Sequence, residues 1–228
     1  MSFVTQIETE NAERLAAIHA MPFNAELTDG RLPPETFRFY IVQDAHYLEG
    51  FARALALAAS RAPDPETIAR LAGSANGAIM VERQLHDEYM TLYGVTREAF
   101  LKTPPSPACD HYVSSLVRAA AIDPFPVAVA ALLPCFSIYL AVGEAIHAKA
   151  VSDHPYRAWV DTYAGEEFAF AVRGMRDLTD RLAQEADARL RARMQAAFER
   201  SVWHEWMFWH SAYHRDAWPM PDSAGLQM

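Results

Sequence analysis

The sequence predicts an all-α protein, a bundle of helices around one central buried helix, and three observations carry that prediction. Glycine is scarce, 9 residues in 228, while Ala, Leu, Glu and Arg are abundant, a composition that favours helix over turn-rich sheet. Breaker signals such as Asp29-Gly30 and Pro33-Pro34 punctuate long segments of helical patterning. The third observation is the stretch from Asp123 to Ala145, apolar on almost every side, which must be enclosed by other elements or by lipid. Pro126, Pro134, Ser137 and Tyr139 interrupt it, and Asp123 and Glu144 bound it closely, so enclosure by protein is the expectation.

The elements follow in order. Residues from about Ser2 to His19 read as a first helix, with Phe3, Ile7, Leu15 and Ile18 roughly on one face. A loop, PFNAELTDGRLPPE, leads to Pro34 and Glu35, which suit the first turn of a long second helix. That helix places Tyr40, Asp44 and Tyr47 on one face. An acid there is either a functional carboxylate or a solvated acid at the edge of the core. After RAPDPE a third helix spans about Pro65 to Leu92, with Gly94 as its C-cap. Its His86, Asp87 and Glu88 are consecutive, so they point in different directions and read as surface residues rather than metal ligands.

The proline-dense loop LKTPPSPACD holds Cys109, read as an incidental thiol, and Tyr112 opens the helix YVSSLVRAAA. In the central helix Pro134 should introduce a kink just before Cys135, and Cys135 and Tyr139 share a face. By position alone a buried cysteine is a small hydrophobe, since reactivity needs a base or positive neighbour. Glu144 and His147 form an E-x-x-H pair, but a di-iron bundle needs two such pairs and the chain has one. Past a break at SDHP come Trp159 and Tyr163, then Gly165 and a Phe-rich helix.

The last helix is expected from about Gln184 past His210. In it Glu205 is surrounded in sequence by Trp203, Trp206, Phe208 and Trp209. Such surroundings should strip solvation from the carboxyl and raise its pKa, which suits a general acid or base. His210 and His214 share a face but lack the intervening Glu of a zincin, and read as polar surface residues. The segment after Trp218 reads as a terminal extension.

One domain over residues 1–228 is expected. The net charge of −9, without clustered Lys and Arg, argues against a nucleic-acid partner. Two cysteines, Cys109 and Cys135, do not make a disulfide framework. The N-terminal MSFVTQIETENAERL lacks a secretory pattern, so a cytoplasmic location with no membrane partner is expected.

Four separated stretches resemble the TenA family, or thiaminase II. YIVQDAHYL is similar to the family's Y-x-x-Q-D-x-x-Y-L, LLPCFSIYLAVGE to its L-P-C-x-x-x-Y-x-x-x-G-E, YRAWVDTY to its Y-x-x-W-I-x-T-Y and EWMFWHSAY to its E-x-x-F-W-x-x-A-Y. The resemblance implies a haem-oxygenase-like helical bundle and the cysteine-bearing branch of the family. It implies a nucleophile at Cys135, catalytic carboxylates at Glu205 and Asp44, and pocket aromatics at Tyr47, Tyr112, Tyr139, Tyr163 and Phe208. His46, where relatives carry an aromatic, should face elsewhere. The implied reaction is hydrolysis of an aminomethyl-substituted 4-aminopyrimidine, and of thiamin in many members, by an aminopyrimidine aminohydrolase without metal or cofactor. A homo-oligomer, commonly a tetramer, is implied as well. The competing readings are a metal-dependent oxidase using Glu144 and His147, and a non-catalytic pyrimidine-binding or regulatory protein.

Overall fold

The computed structural model describes residues 1–150 and 153–219, with the backbone alone for 81–87. Every regular element among the described residues is a helix: α1 (Phe3–Glu10), α2 (Ala12–Ala20), α3 (Pro22–Thr28), α4 (Pro34–Ser60), α5 (Pro65–Leu92), α6 (Arg97–Lys102), α7 (Pro107–Ile122), α8 (Phe125–His147), α9 (Arg157–Tyr163), α10 (Glu166–Glu185) and α11 (Ala188–His214). The side chains of His86 and Asp87, and nearly all of the expected terminal extension, lie outside the described residues, while Glu88 is exposed.

The N-terminal region departs from the expected single helix and loop. Buried Asn11 donates from Nδ2 to the Ile7 carbonyl at 2.8 Å, a local side-chain bond that competes with helix continuation and separates α1 from α2. Met21 is extended, as a residue before proline prefers, and Pro22 then starts α3 inside the segment expected to be loop. Two further differences have the same kind of cause. Ser106 caps α7, accepting from Cys109 N at 3.3 Å, so the helix begins at Pro107 and Cys109 lies within it rather than in a loop. Asp187 caps α11, accepting from Leu190 N at 2.7 Å, so the last helix starts after Gln184, which belongs to α10.

The long helices α4, α5 and α8 match expectation. Asp64 caps α5, and Gly94 follows it with φ +63°, a conformation that suits glycine. From Val127 to Tyr139 every residue of α8 except Ser137 is buried, and α11, α10, α9 and α7 surround the helix. Its length and apolarity would suffice to cross a membrane, yet its neighbours enclose it. On the other side of the core α4 packs against α5 and α7 and meets α11. Gly50 of α4 has no Cβ to strike Val113 of α7, and this close approach brings the Tyr47 and Tyr112 ring centroids to 4.8 Å.

Candidate active site

The centre of the bundle gathers side chains from five helices. Asp44, Tyr40 and Tyr47 come from α4, Tyr112 from α7, Cys135 and Tyr139 from α8, Trp159 and Tyr163 from α9, and Glu205, Phe208 and Trp209 from α11. All are buried, and Asp44 and Glu205 are at 0% exposure, which removes the reading of Asp44 as a solvated acid. The aromatic rings touch one another: Tyr47 meets Phe208 at 5.4 Å and Tyr139 meets Tyr163 at 4.8 Å.

The α9 side of the site is held by its preceding loop. His154 donates from Nε2 to the Leu27 carbonyl at 2.8 Å, and Tyr156 donates to the Leu32 carbonyl at 2.6 Å. These bonds anchor α9 before Trp159 and Tyr163 enter the core. Gly143 then lets α9 approach α8, since a Cβ there would lie 2.8 Å from the Tyr163 carbonyl carbon.

The site holds two hydrogen-bonded groups, each ending on a buried acid. Trp159 Nε1 donates to Tyr40 at 3.1 Å, Tyr40 to Tyr139 at 3.4 Å, and Tyr139 to Asp44 Oδ1 at 3.4 Å. An indole N–H can only donate, so the hydrogens in this chain run toward Asp44. In the second group, Tyr112 donates to Glu205 Oε1 at 2.8 Å, while Glu205 Oε2 is buried without a hydrogen-bond partner.

Burial pushes the Glu205 carboxyl up to about 8, with the Tyr112 hydroxyl pulling back and nearby Asp44 adding to the rise. The Trp209 indole also pulls back weakly, although its N–H falls short of hydrogen-bond geometry. Glu205 is therefore a protonated acid at neutral pH. Because Oε1 accepts from Tyr112, the proton belongs on Oε2. The rise expected from the flanking tryptophans is found, but its source differs in part. Trp203 is half-exposed, and the enclosure comes from Phe208, Trp209 and the other helices.

The Cys135 thiol is pushed well above its ordinary value by burial and by Glu205, and Asp44 raises it further. Only the Tyr47 hydroxyl opposes this. It lies against the sulfur outside hydrogen-bond geometry and is itself buried without a partner. Cys135 therefore rests as a thiol. Burial likewise holds the hydroxyls of Tyr40, Tyr47, Tyr112, Tyr139 and Tyr163 protonated.

A profile of the TENA/THI-4/PQQC family matches residues 10–215. The chain belongs to this family. Among its TENA/THI-4/PQQC relatives, an aminopyrimidine aminohydrolase of Bacillus subtilis is 33% identical over 219 residues, covering 96% of this chain and 92% of that protein. A TenA homologue from P. horikoshii superposes with a TM-score of 0.84 at 27% identity, over 94% of this chain and 99% of its own. A heme oxygenase-like domain from Shewanella denitrificans has a TM-score of 0.72 at 15% identity, covering 93% and 92%, and shares the fold.

All eight residues singled out from the sequence thus lie in one buried cluster. Other candidates lie apart. Cys109 is fully buried, donates to the Gln43 carbonyl at 3.4 Å, and has its thiol pushed up to about 12 by burial. Glu144 and His147 are exposed at the end of α8, with His147 3.6 Å from Asp161, away from the buried acids. Among the described residues no three potential ligands converge on a metal position. His210 and His214 are exposed, and His46 faces away as expected, stacking on Phe100 at 4.4 Å.

Sequence reasoning missed His204, one position before Glu205. Its ring stacks on Tyr112 at 5.1 Å, and both its nitrogens are buried without partners. No spacing marks it, because its burial depends on α7. Tyr40, Trp159 and Trp209 stood inside the recognised stretches, and the signal for their roles was their place beside Asp44, Tyr163 and Glu205.

Proposed function

We propose that this protein hydrolyses 4-amino-5-aminomethyl-2-methylpyrimidine, and thiamin as a related substrate, to 4-amino-5-hydroxymethyl-2-methylpyrimidine in thiamin salvage, with Cys135 as nucleophile. The observation that carries the reading is the enclosure of one thiol with a protonated carboxyl and a second acid among stacked aromatics. The Bacillus subtilis relative, named an aminopyrimidine aminohydrolase, supports the substrate class.

In this reading the 4-amino group donates to Asp44 while the tyrosines and Phe208 stack on the ring and exclude water. Glu205 passes its Oε2 proton to a ring nitrogen, making the ring electrophilic. The Cys135 sulfur bonds to the ring carbon and its proton passes to the amine, which departs as ammonia on electrons released through the ring. Water adds to the exocyclic methylene carbon and gives up a proton. The sulfur–carbon bond then breaks, sulfur takes back a proton, and the ring proton returns to Glu205. No free thiolate need exist before substrate binds, which fits the elevated thiol.

The test is turnover of the aminomethylpyrimidine beside thiamin, for wild type and Cys135→Ser. Wild type should release ammonia from the aminomethylpyrimidine, and the variant should retain hydroxymethylpyrimidine affinity without turnover. Undiminished turnover by the variant would exclude the covalent route, and product binding without turnover by wild type would favour a pyrimidine-binding role. By family likeness the enzyme is a homotetramer, which sedimentation checks.

A further inference from the structure

Next to the buried site, but outside it, α7 and α11 frame a groove of about 610 Å³ lined by His111, Ser115, Arg118, Arg200, Trp203 and His204, among others. It continues into a smaller cavity of about 200 Å³ that shares Ser115, Arg118 and Arg200 and adds Arg193 and Asp123. The chain carries a net charge of −9, which on average repels anions. This groove reverses that sign locally. Its lining sets three arginines, Arg118, Arg193 and Arg200, against two acids: Asp123 lies 3.1 Å from Arg193 and 3.5 Å from Arg118, and Glu199 accepts from the neutral Gln195 amide at 3.1 Å. Arg200 forms no ion pair among the described residues.

The groove wall also contains a built polar group. His204 is 3% exposed, yet neither ring nitrogen has a hydrogen-bond partner. Its ring is fixed in place, stacked on Tyr112 on one side and met edge-on by His111 at 4.6 Å. A buried imidazole without partners costs stability, so a group that satisfies it here is favoured. Burial, His111 and Arg200 push it down to about 4, so it is a neutral ring with one N–H to donate. Together with the Arg200 fork and the Ser115 hydroxyl, it provides donors of the kind that hold phosphate oxygens. The groove is larger than phosphate alone. Trp203, half-exposed at its rim with the Arg14 guanidinium over its ring at 5.6 Å, offers its remaining aromatic surface to an organic body.

We propose that the α7–α11 groove is a second ligand site that takes a small organic phosphate, its phosphoryl group on Arg200 and His204 and its body against Trp203. This site is separate from the pyrimidine position and is occupied independently of the reaction at Cys135.

The experiment is calorimetric titration of the intact protein with phenyl phosphate and with inorganic phosphate at constant ionic strength, run both with saturating hydroxymethylpyrimidine and without it. Saturable binding is expected, tighter for phenyl phosphate. Arg200→Gln, an exposed position that should fold normally, should weaken both ligands roughly tenfold or more. Trp203→Ala should weaken phenyl phosphate alone. Nitrogen-detected NMR of the histidine rings should show His204 responding to either ligand. Absence of saturable binding up to about 10 mM would overturn the proposal. So would equal binding by wild type and Arg200→Gln, or binding that appears only when the pyrimidine is left out, since the latter would put the phosphate in the buried site.

Discussion

Tyr112 on α7 donates a 2.8 Å hydrogen bond to Oε1 of Glu205 on α11, and this one contact sets both the position and the proton placement of the buried acid. It leaves Oε2 as the oxygen that carries a transferable proton. Because the bond opposes the rise of Glu205 toward about 8, Tyr112→Phe should raise that value further. The alkaline limb of kcat/KM should move to higher pH, while kcat at neutral pH falls about tenfold as the acid loses orientation and strength. A pH–rate profile decides it, and an unmoved alkaline limb would show that Glu205 is not the group titrating there.

Glu205 also makes stability depend on pH in a definite direction. Its folded value is raised from 4.5 to about 8, so its contribution is complete below about 4.5 and is lost as pH rises through about 8. The loss is roughly 4–5 kcal/mol as an upper bound. Glu205→Gln removes the titration. Its melting temperature should gain on wild type steadily between those two pH values, while turnover falls by about 10²–10⁴. A constant difference across that range would contradict the raised acid.

Both cysteines are buried and both thiols are held in the protonated form. Native protein should therefore resist a disulfide reagent at mildly alkaline pH for far longer than an exposed thiol does, and both sulfurs should react once unfolded. Fast native labelling of Cys135 would contradict the resting thiol. Cys109→Ser, by contrast, should keep wild-type activity per folded molecule, since that sulfur bonds only to the Gln43 carbonyl.

Gly143→Ala tests how Tyr163 reaches the site. The added Cβ would lie 2.8 Å from the Tyr163 carbonyl carbon and 2.9 Å from its Cβ, forcing α9 away from α8. A stability loss of about 1–3 kcal/mol is expected, together with a raised KM for the pyrimidine. Melting and steady-state kinetics read the two effects separately.

Asp44→Asn should lower kcat/KM for the 4-aminopyrimidine by roughly 10²-fold, because the amide would oppose one donor with another. Against an analogue lacking the 4-amino group the same change should matter much less. Equal losses on both substrates would remove the proposed hydrogen bond.

Much of this was legible in the residues. The face formed by Tyr40, Asp44 and Tyr47 follows from helical spacing, and so does the pairing of Cys135 with Tyr139. The N-terminal breaks were less readable. Asn11 ends α1 through a side-chain bond to Ile7, while Pro22 starts a helix that the surrounding turn signals concealed. His204 was illegible for another reason: its neighbour Glu205 follows it in the same helix, and its burial is created entirely by Tyr112 and His111 arriving on α7.

By itself the sequence determined the all-helical architecture, the enclosed central helix and the residue types available for chemistry, because helical periodicity and apolar patterning are local properties of the chain. Tertiary structure alone decided the states of those residues. The apolar walls, the Tyr112 hydroxyl and the opposing acid that keep Glu205 protonated and Cys135 a thiol come from helices far apart in sequence. A pKa responds to solvation and charge within a few ångströms, whatever the distance along the chain.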